Sequence, residues 1–74
     1  MKAVVLVDIE PKHTEEVFDR IKKLKGVVKA LQVYGEYDAV FIIEENHATE
    51  IQEFIKTIRK ITGILRTVTL IEIL

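Results

Sequence analysis

Apolar and polar residues follow two rhythms along this chain, and the points where the rhythm changes divide it into six segments. Ala3 to Ile9 (AVVLVDI) is a β-branched, apolar run that stops at Glu10-Pro11, where proline removes a ladder donor and turns the chain. This predicts a first strand. His13-Thr14-Glu15-Glu16 then supplies a polar start and two acids that complement a helix dipole. Val17, Phe18, Ile21 and Leu24 recur at helical spacing, with Lys22, Lys23 and Lys25 at the carboxyl end before Gly26 stops the helix. Val27 to Tyr34 and Tyr37 to Glu44 are strand-like and joined through a tight connection at Gly35-Glu36, which predicts a hairpin. Asn46 is placed to cap a second helix with the stripe Ile51, Phe54, Ile55, Ile58 and Ile61, ended by Gly63; Ile64 to Leu74 is a long final strand.

The order is β-α-β-β-α-β, and the two halves echo one another. Ile9-Glu10 followed by His13 matches Ile43-Glu44 followed by His47, and Leu24-x-Gly26-Val27-Val28 matches Ile61-x-Gly63-Ile64-Leu65. Two βαβ units with right-handed crossovers interleave into one antiparallel four-stranded sheet with both helices on one face, the α+β ferredoxin-like arrangement. No linker or shift in composition interrupts the chain, so residues 1–74 are read as a single domain.

A sheet covered on one side should show polar residues at alternate positions on the other. These strands do not. Ala3, Val5, Val7 and Ile9 fill one register of the first strand while Val4 and Leu6 fill the other; Val40 and Ile42 alternate with Ala39, Phe41 and Ile43; Leu31, Val33, Val68 and Leu70 continue the pattern. Leaving half a dozen such side chains in water forfeits about 10 kcal/mol of burial, comparable to the roughly 5–15 kcal/mol that stabilises a whole domain. A second surface is therefore expected over this face, and a homodimer through the sheets supplies it.

Composition narrows the function. The chain has 74 residues, 49% hydrophobic and 31% charged, with three glycines and one proline, which is globular rather than disordered. Its small size permits one layer of helices on one sheet. A net charge of −1, with acids and lysines interspersed, removes the attraction that nucleic-acid binders use to collect phosphates, so no direct DNA binding is expected. With no cysteine there are no disulfides or thiolate metal sites, and no apolar run is long enough to span a bilayer, which reads as a cytoplasmic chain without a membrane partner.

Candidate chemistry is sparse. His13 and His47 stand near helix starts without metal-ligand spacing, Glu15-Glu16 and Glu44-Glu45 fit solvated positions, and there is no serine, cysteine or glycine-rich phosphate loop. An enzyme is not expected, and neither metal nor cofactor is called for. The turn Gly35-Glu36-Tyr37-Asp38 admits two accounts. In one, Gly35 takes positive φ, Asp38 bonds turn amides and Tyr37 covers an edge. In the other, free amides receive the carboxylate of a zwitterion and Asp38 its ammonium, with Thr67 and Thr69 adding hydroxyls.

Val33-x-Gly35-x-Tyr37-Asp38, after a helix ending near Gly26-Val27-Val28 and before a last strand carrying Arg66-Thr67-x-Thr69, resembles the C-terminal effector domain of Lrp/AsnC (feast/famine) transcription regulators, the RAM domain. The opening Val5-x-Val7-x-Ile9-Glu10-Pro11-x-His13 is similar to its first strand and turn, and the resemblance covers essentially the whole chain. Regulators of that family carry an N-terminal helix-turn-helix domain, whereas this chain begins directly at the first strand. The resemblance therefore implies a stand-alone module that forms dimers and rings of dimers, binds an amino-acid effector between dimers, and modulates a full-length regulator by co-assembly. By position it implies that Gly35, Tyr37, Asp38, Thr67 and Thr69 face the effector. Three readings stay open: an amino-acid-responsive oligomerisation module, a purely structural assembly protein, and, last, a small dimeric enzyme.

Overall fold

The computed structural model describes residues 1–73. Strand β1 (Lys2–Ile9) leads through a 3-10 turn at Pro11–His13 into helix α1 (Thr14–Lys22); β2 (Val27–Gln32) and β3 (Ala39–Glu44) form a hairpin; helix α2 (Ala48–Arg59) precedes β4 (Ile64–Ile71). The sheet is antiparallel in the order β2-β3-β1-β4, so the expected βαββαβ ferredoxin-like fold is the one observed. Leu74, placed at the end of the expected last strand, lies outside the described residues.

The register sorts side chains between the two faces. Ala3, Val5, Val7 and Ile9 of β1 and Ala39, Phe41 and Ile43 of β3 point toward the helices and are buried, meeting Val17, Phe18 and Ile21 of α1 and Ile51, Phe54 and Ile58 of α2. The Phe18 and Phe41 rings lie 5.5 Å apart and tilted, so α1 is keyed to the central hairpin strand by aromatic contact as well as area. The opposite registers, Val4, Leu6, Val40, Ile42, Leu31, Val68 and Leu70, line up across the four strands on the uncovered side: Val4 is opposite Ile42 and Leu70, and Leu6 opposite Val40 and Val68. Leu31 and Leu70 are 43% and 58% exposed there. Both faces are apolar, and only one is covered.

The internal repeat is structural. The Glu10 amide donates to the Gly63 carbonyl at 2.7 Å and the Glu44 amide to the Gly26 carbonyl at 2.8 Å, so each half ties the end of its first strand to the start of a returning one. Gly26 and Gly63 have φ of +95° and +104°, and a β-carbon at either would strike Glu45 or His13, so both positions require glycine. Beyond each glycine the ladder slips by one residue, at Val28 in β2 and at Leu65 in β4, and the bulge leaves that side chain outside.

Element ends shift in four places, the first being the last strand, which ends at Ile71 rather than continuing through Ile73. The hairpin strands stop at Gln32 and resume at Ala39, rather than running to Tyr34 and from Tyr37, because the last pairing is the Val33 amide to the Asp38 carbonyl and Tyr34 to Tyr37 form an open loop. The second helix is capped at His47 instead of Asn46, since the Glu50 carboxylate reaches back to both amides, at 3.2 Å from Asn46 and 3.0 Å from His47. The first helix ends at Lys22, and Leu24 follows in a turn that still packs on the core.

Candidate functional site

The hairpin loop carries the sequence-derived candidates, and the register of β1 decides where they fall. The Asp38 amide donates to the Val7 carbonyl at 2.9 Å, which holds the loop end against the last residues of β1. From there the Asp38 carboxylate accepts the Ile9 amide at 2.7 Å. Ile9 lies beyond Val7, the last residue of β1 paired with β3, so its amide faces the hairpin without a strand partner, and a charged acceptor satisfies it. Asp38 thus bonds the neighbouring strand rather than turn amides.

Tyr37 turns to the uncovered side of the sheet. Its ring lies under Arg66 of β4, whose guanidinium carbon is 4.7 Å from the ring centroid. Arg66 stands directly opposite Asp8 of β1, which brings a cation, an aromatic ring and two carboxylates together at one end of the open face. Tyr37, Asp38 and Asp8 are half-buried and Arg66 is exposed. That distance is within cation–π range, and a guanidinium carries five N–H donors with which it can meet an anion. Gly35 lies at the exposed tip, where an added side chain would meet nothing within 4 Å; the loop backbone there is open to approach.

Thr67 and Thr69 lie elsewhere. They are opposite Val7 and Val5, whose side chains are in the core, so the two threonines share the helix-covered side and are separated from Tyr37 and Arg66 by the sheet. Thr69 borders a groove of about 330 Å³ between α2 and β4, with Ile51, Ile55, Ile71, Gln52, Lys56 and Arg59. Asp8 and Arg66 were not among the candidates from sequence. Arg66 stood in the family-like motif, but its neighbourhood with Tyr37 depends on a strand register that spacing along the chain does not reveal. His13 contacts Glu16 at 3.3 Å beside Gly63, a local role at a helix start, and no group of three or more metal-ligating side chains occurs among the described residues. No helix among them is long and apolar enough to cross a membrane.

Comparisons with known proteins agree with this architecture. Residues 2–73 match the family model for the Lrp/AsnC ligand binding domain. The HTH-type transcriptional regulator LysM of Saccharolobus solfataricus is 32% identical over 68 residues, covering 90% of this chain and 48% of the regulator. A homocitrate synthase of Sulfolobus acidocaldarius is 32% identical over 57 residues, 77% of this chain but 12% of the enzyme. The chain thus spans about half or much less of the length of these curated relatives. Among solved structures, FFRP-DM1 superposes with a TM-score of 0.91 at 32% identity, covering 97% of both chains. On the match across nearly its whole length, the chain belongs to the Lrp/AsnC ligand-binding domain family.

Proposed function

We propose that this chain is a regulator-associated module that binds a small zwitterion, best fitted by an amino acid, and assembles through the open face of its sheet. The observation that carries the reading is the cluster at the end of that face: Arg66 stacked on Tyr37, with Asp8 and Asp38 beside them. Arg66 offers two N–H donors to a carboxylate, an aspartate offers an acceptor to an ammonium, and Leu6, Val40 and Val68 begin an apolar floor for a side chain. Within one copy the cluster is a shelf, and a second copy of the chain closes it. Pairing open faces gives a dimer, and joining dimers at the hairpin ends gives a ring with effector sites between them.

Relatives support a portable binding unit. One matched segment lies in a protein named as an HTH-type transcriptional regulator and another in one named as a homocitrate synthase, which supports reading the shared portion as a module apart from either activity. Co-assembly with a regulator of the same family is the proposed route by which the module acts on transcription. An enzymatic role has little support, since the space between helices and sheet is filled by aliphatic and phenylalanine side chains with no buried polar residue among those described.

A purely structural assembly role draws on a different observation, the bond from the Ile9 amide to Asp38, which gives that carboxylate a task without any ligand. Asp38→Asn separates the two. An amide oxygen still accepts from Ile9, while the charge that an ammonium needs is gone. Thermal melts and light-scattering mass of the native chain are measured against each of the twenty amino acids. One effector is expected to raise the melt, by about 2.7 kcal/mol of stabilisation at a hundred times its Kd, and Asp38→Asn is expected to lose that response while keeping its ligand-free melt. A native chain indifferent to every amino acid overturns the sensor reading and leaves assembly.

A further inference from the structure

Two acids stand side by side where the sheet ends. One step beyond the last β1–β3 pair, Val7 with Ala39, Asp38 comes level with Asp8. Its amide donates to the Val7 carbonyl and its carboxylate accepts the Ile9 amide, so Asp8 is bracketed by the two bonds that fix Asp38. On its other side Asp8 faces Arg66 of β4. The strand order therefore sets three charges in a row, Arg66, Asp8 and Asp38, on neighbouring strands spaced about 4.8 Å apart. Like charges on adjacent strands oppose pairing, and the other end of the same ladder avoids them by setting Lys2 against Glu44. Among the described residues neither Asp8 nor Arg66 has an ion-pair partner, and Arg66 lies over Tyr37 instead. Nearby charges do not redress the excess, since Glu10 is paired with Lys12 at 3.6 Å and Glu36 at the loop tip is a further acid.

Resting on the reading of this cluster as an amino-acid site, we propose that its effector is a basic amino acid, whose side chain carries a second cation. In the bound state an α-carboxylate on Arg66 uses the one cation of the row, which leaves two carboxylates for one α-ammonium. With an uncharged side chain one half-buried acid stays uncompensated, and with an acidic side chain a third carboxylate joins the pair. A cationic side chain closes the balance. The order fits as well as the number. The α-carboxylate and α-ammonium are borne on one carbon and match the adjacent Arg66 and Asp8, while a cation several methylenes away reaches Asp38, one strand farther. A carboxylate has two oxygens and the Ile9 amide occupies one, so Asp38 keeps the other for an ammonium or guanidinium. Along the next row, Leu6 with Val40 and Val68 gives the methylene stem an apolar edge to lie on.

Calorimetric titration of the native chain with lysine, ornithine and arginine, against norleucine and glutamate, tests the proposal. Norleucine is lysine without the terminal ammonium. The best of the three basic amino acids is expected to bind at least about tenfold more tightly than norleucine, the ratio that one charge-assisted hydrogen bond gives, and glutamate is expected not to bind. Asp38→Asn is expected to bring that ligand down to the norleucine level and leave norleucine unchanged, whereas Asp8→Asn weakens both because it removes the partner of the α-ammonium. Norleucine bound as tightly as every basic amino acid, or more tightly, overturns the proposal, as does a basic preference that survives Asp38→Asn. If circular dichroism shows that Asp38→Asn does not fold, the native comparison decides. The two readings fail separately. An uncharged or acidic amino acid that binds best leaves the ligand-binding reading standing and overturns this one, while a chain that binds no amino acid overturns both.

Discussion

The two faces of the sheet are made of the same residue types and do different work. On the covered face Val5, Val7, Phe41 and Ile43 are wholly buried within one chain. On the uncovered face Val4, Leu6, Val40 and Ile42 are only half-buried, and Leu31 and Leu70 are exposed. Hydrophobicity alone does not separate the two faces; the helices do, by covering one and leaving the other open. The first face holds the chain's own core, and the second is the apolar surface proposed above for association.

The largest break in that comparison is Phe41→Ala, which removes the central ring beneath α1. It is expected to cost about 3–5 kcal/mol in denaturant unfolding, enough to unfold a small domain. Asp38→Ala acts at the end of the sheet, where it leaves the Ile9 amide without its acceptor; a loss of about 1–3 kcal/mol is expected in the same measurement. Asp38→Asn, which keeps an acceptor, is expected to fall well short of that loss. Ile42→Asp on the uncovered face inverts the pattern: circular dichroism is expected to remain native while light scattering reports a smaller assembly, because a charge in the apolar face opposes desolvation by a partner. A native mass in Ile42→Asp would show that this face is not the contact, and equal stability losses for Phe41→Ala and Ile42→Asp would erase the distinction between faces.

Much of the fold is written in local pattern. The β-branched runs, the helical stripes and the stops at Gly26 and Gly63 locate every element, because each is a short-range choice of backbone state. The ends of the hairpin are less legible. Tyr37 and Asp38 continue an apolar alternation and read as strand, but their own bonds to β1 and Arg66 pull them out of the ladder. For the same reason the candidate site is only half visible in sequence. Tyr37 and Asp38 are adjacent, whereas Asp8 and Arg66 join them only through the pairing of β1 with β3 and β4. Alternation places Thr67 and Thr69 on one face together without saying which, and the side is fixed by their partners Val7 and Val5.

The strand order has a kinetic meaning. β3 lies between β2 and β1, so the first half of the chain, taken alone, is two strands with an empty slot between them, and the second half fills that slot while completing its own core. Neither half can settle before the other arrives. The pairing of Ala3 with Ile71 spans almost the entire chain, and such distant closures must be made before they are rewarded. A chain this short would ordinarily fold fast; this one is obliged by its interleaving to fold all at once, and two separate halves would be expected to seek each other, or a second copy of themselves, to fill the gap.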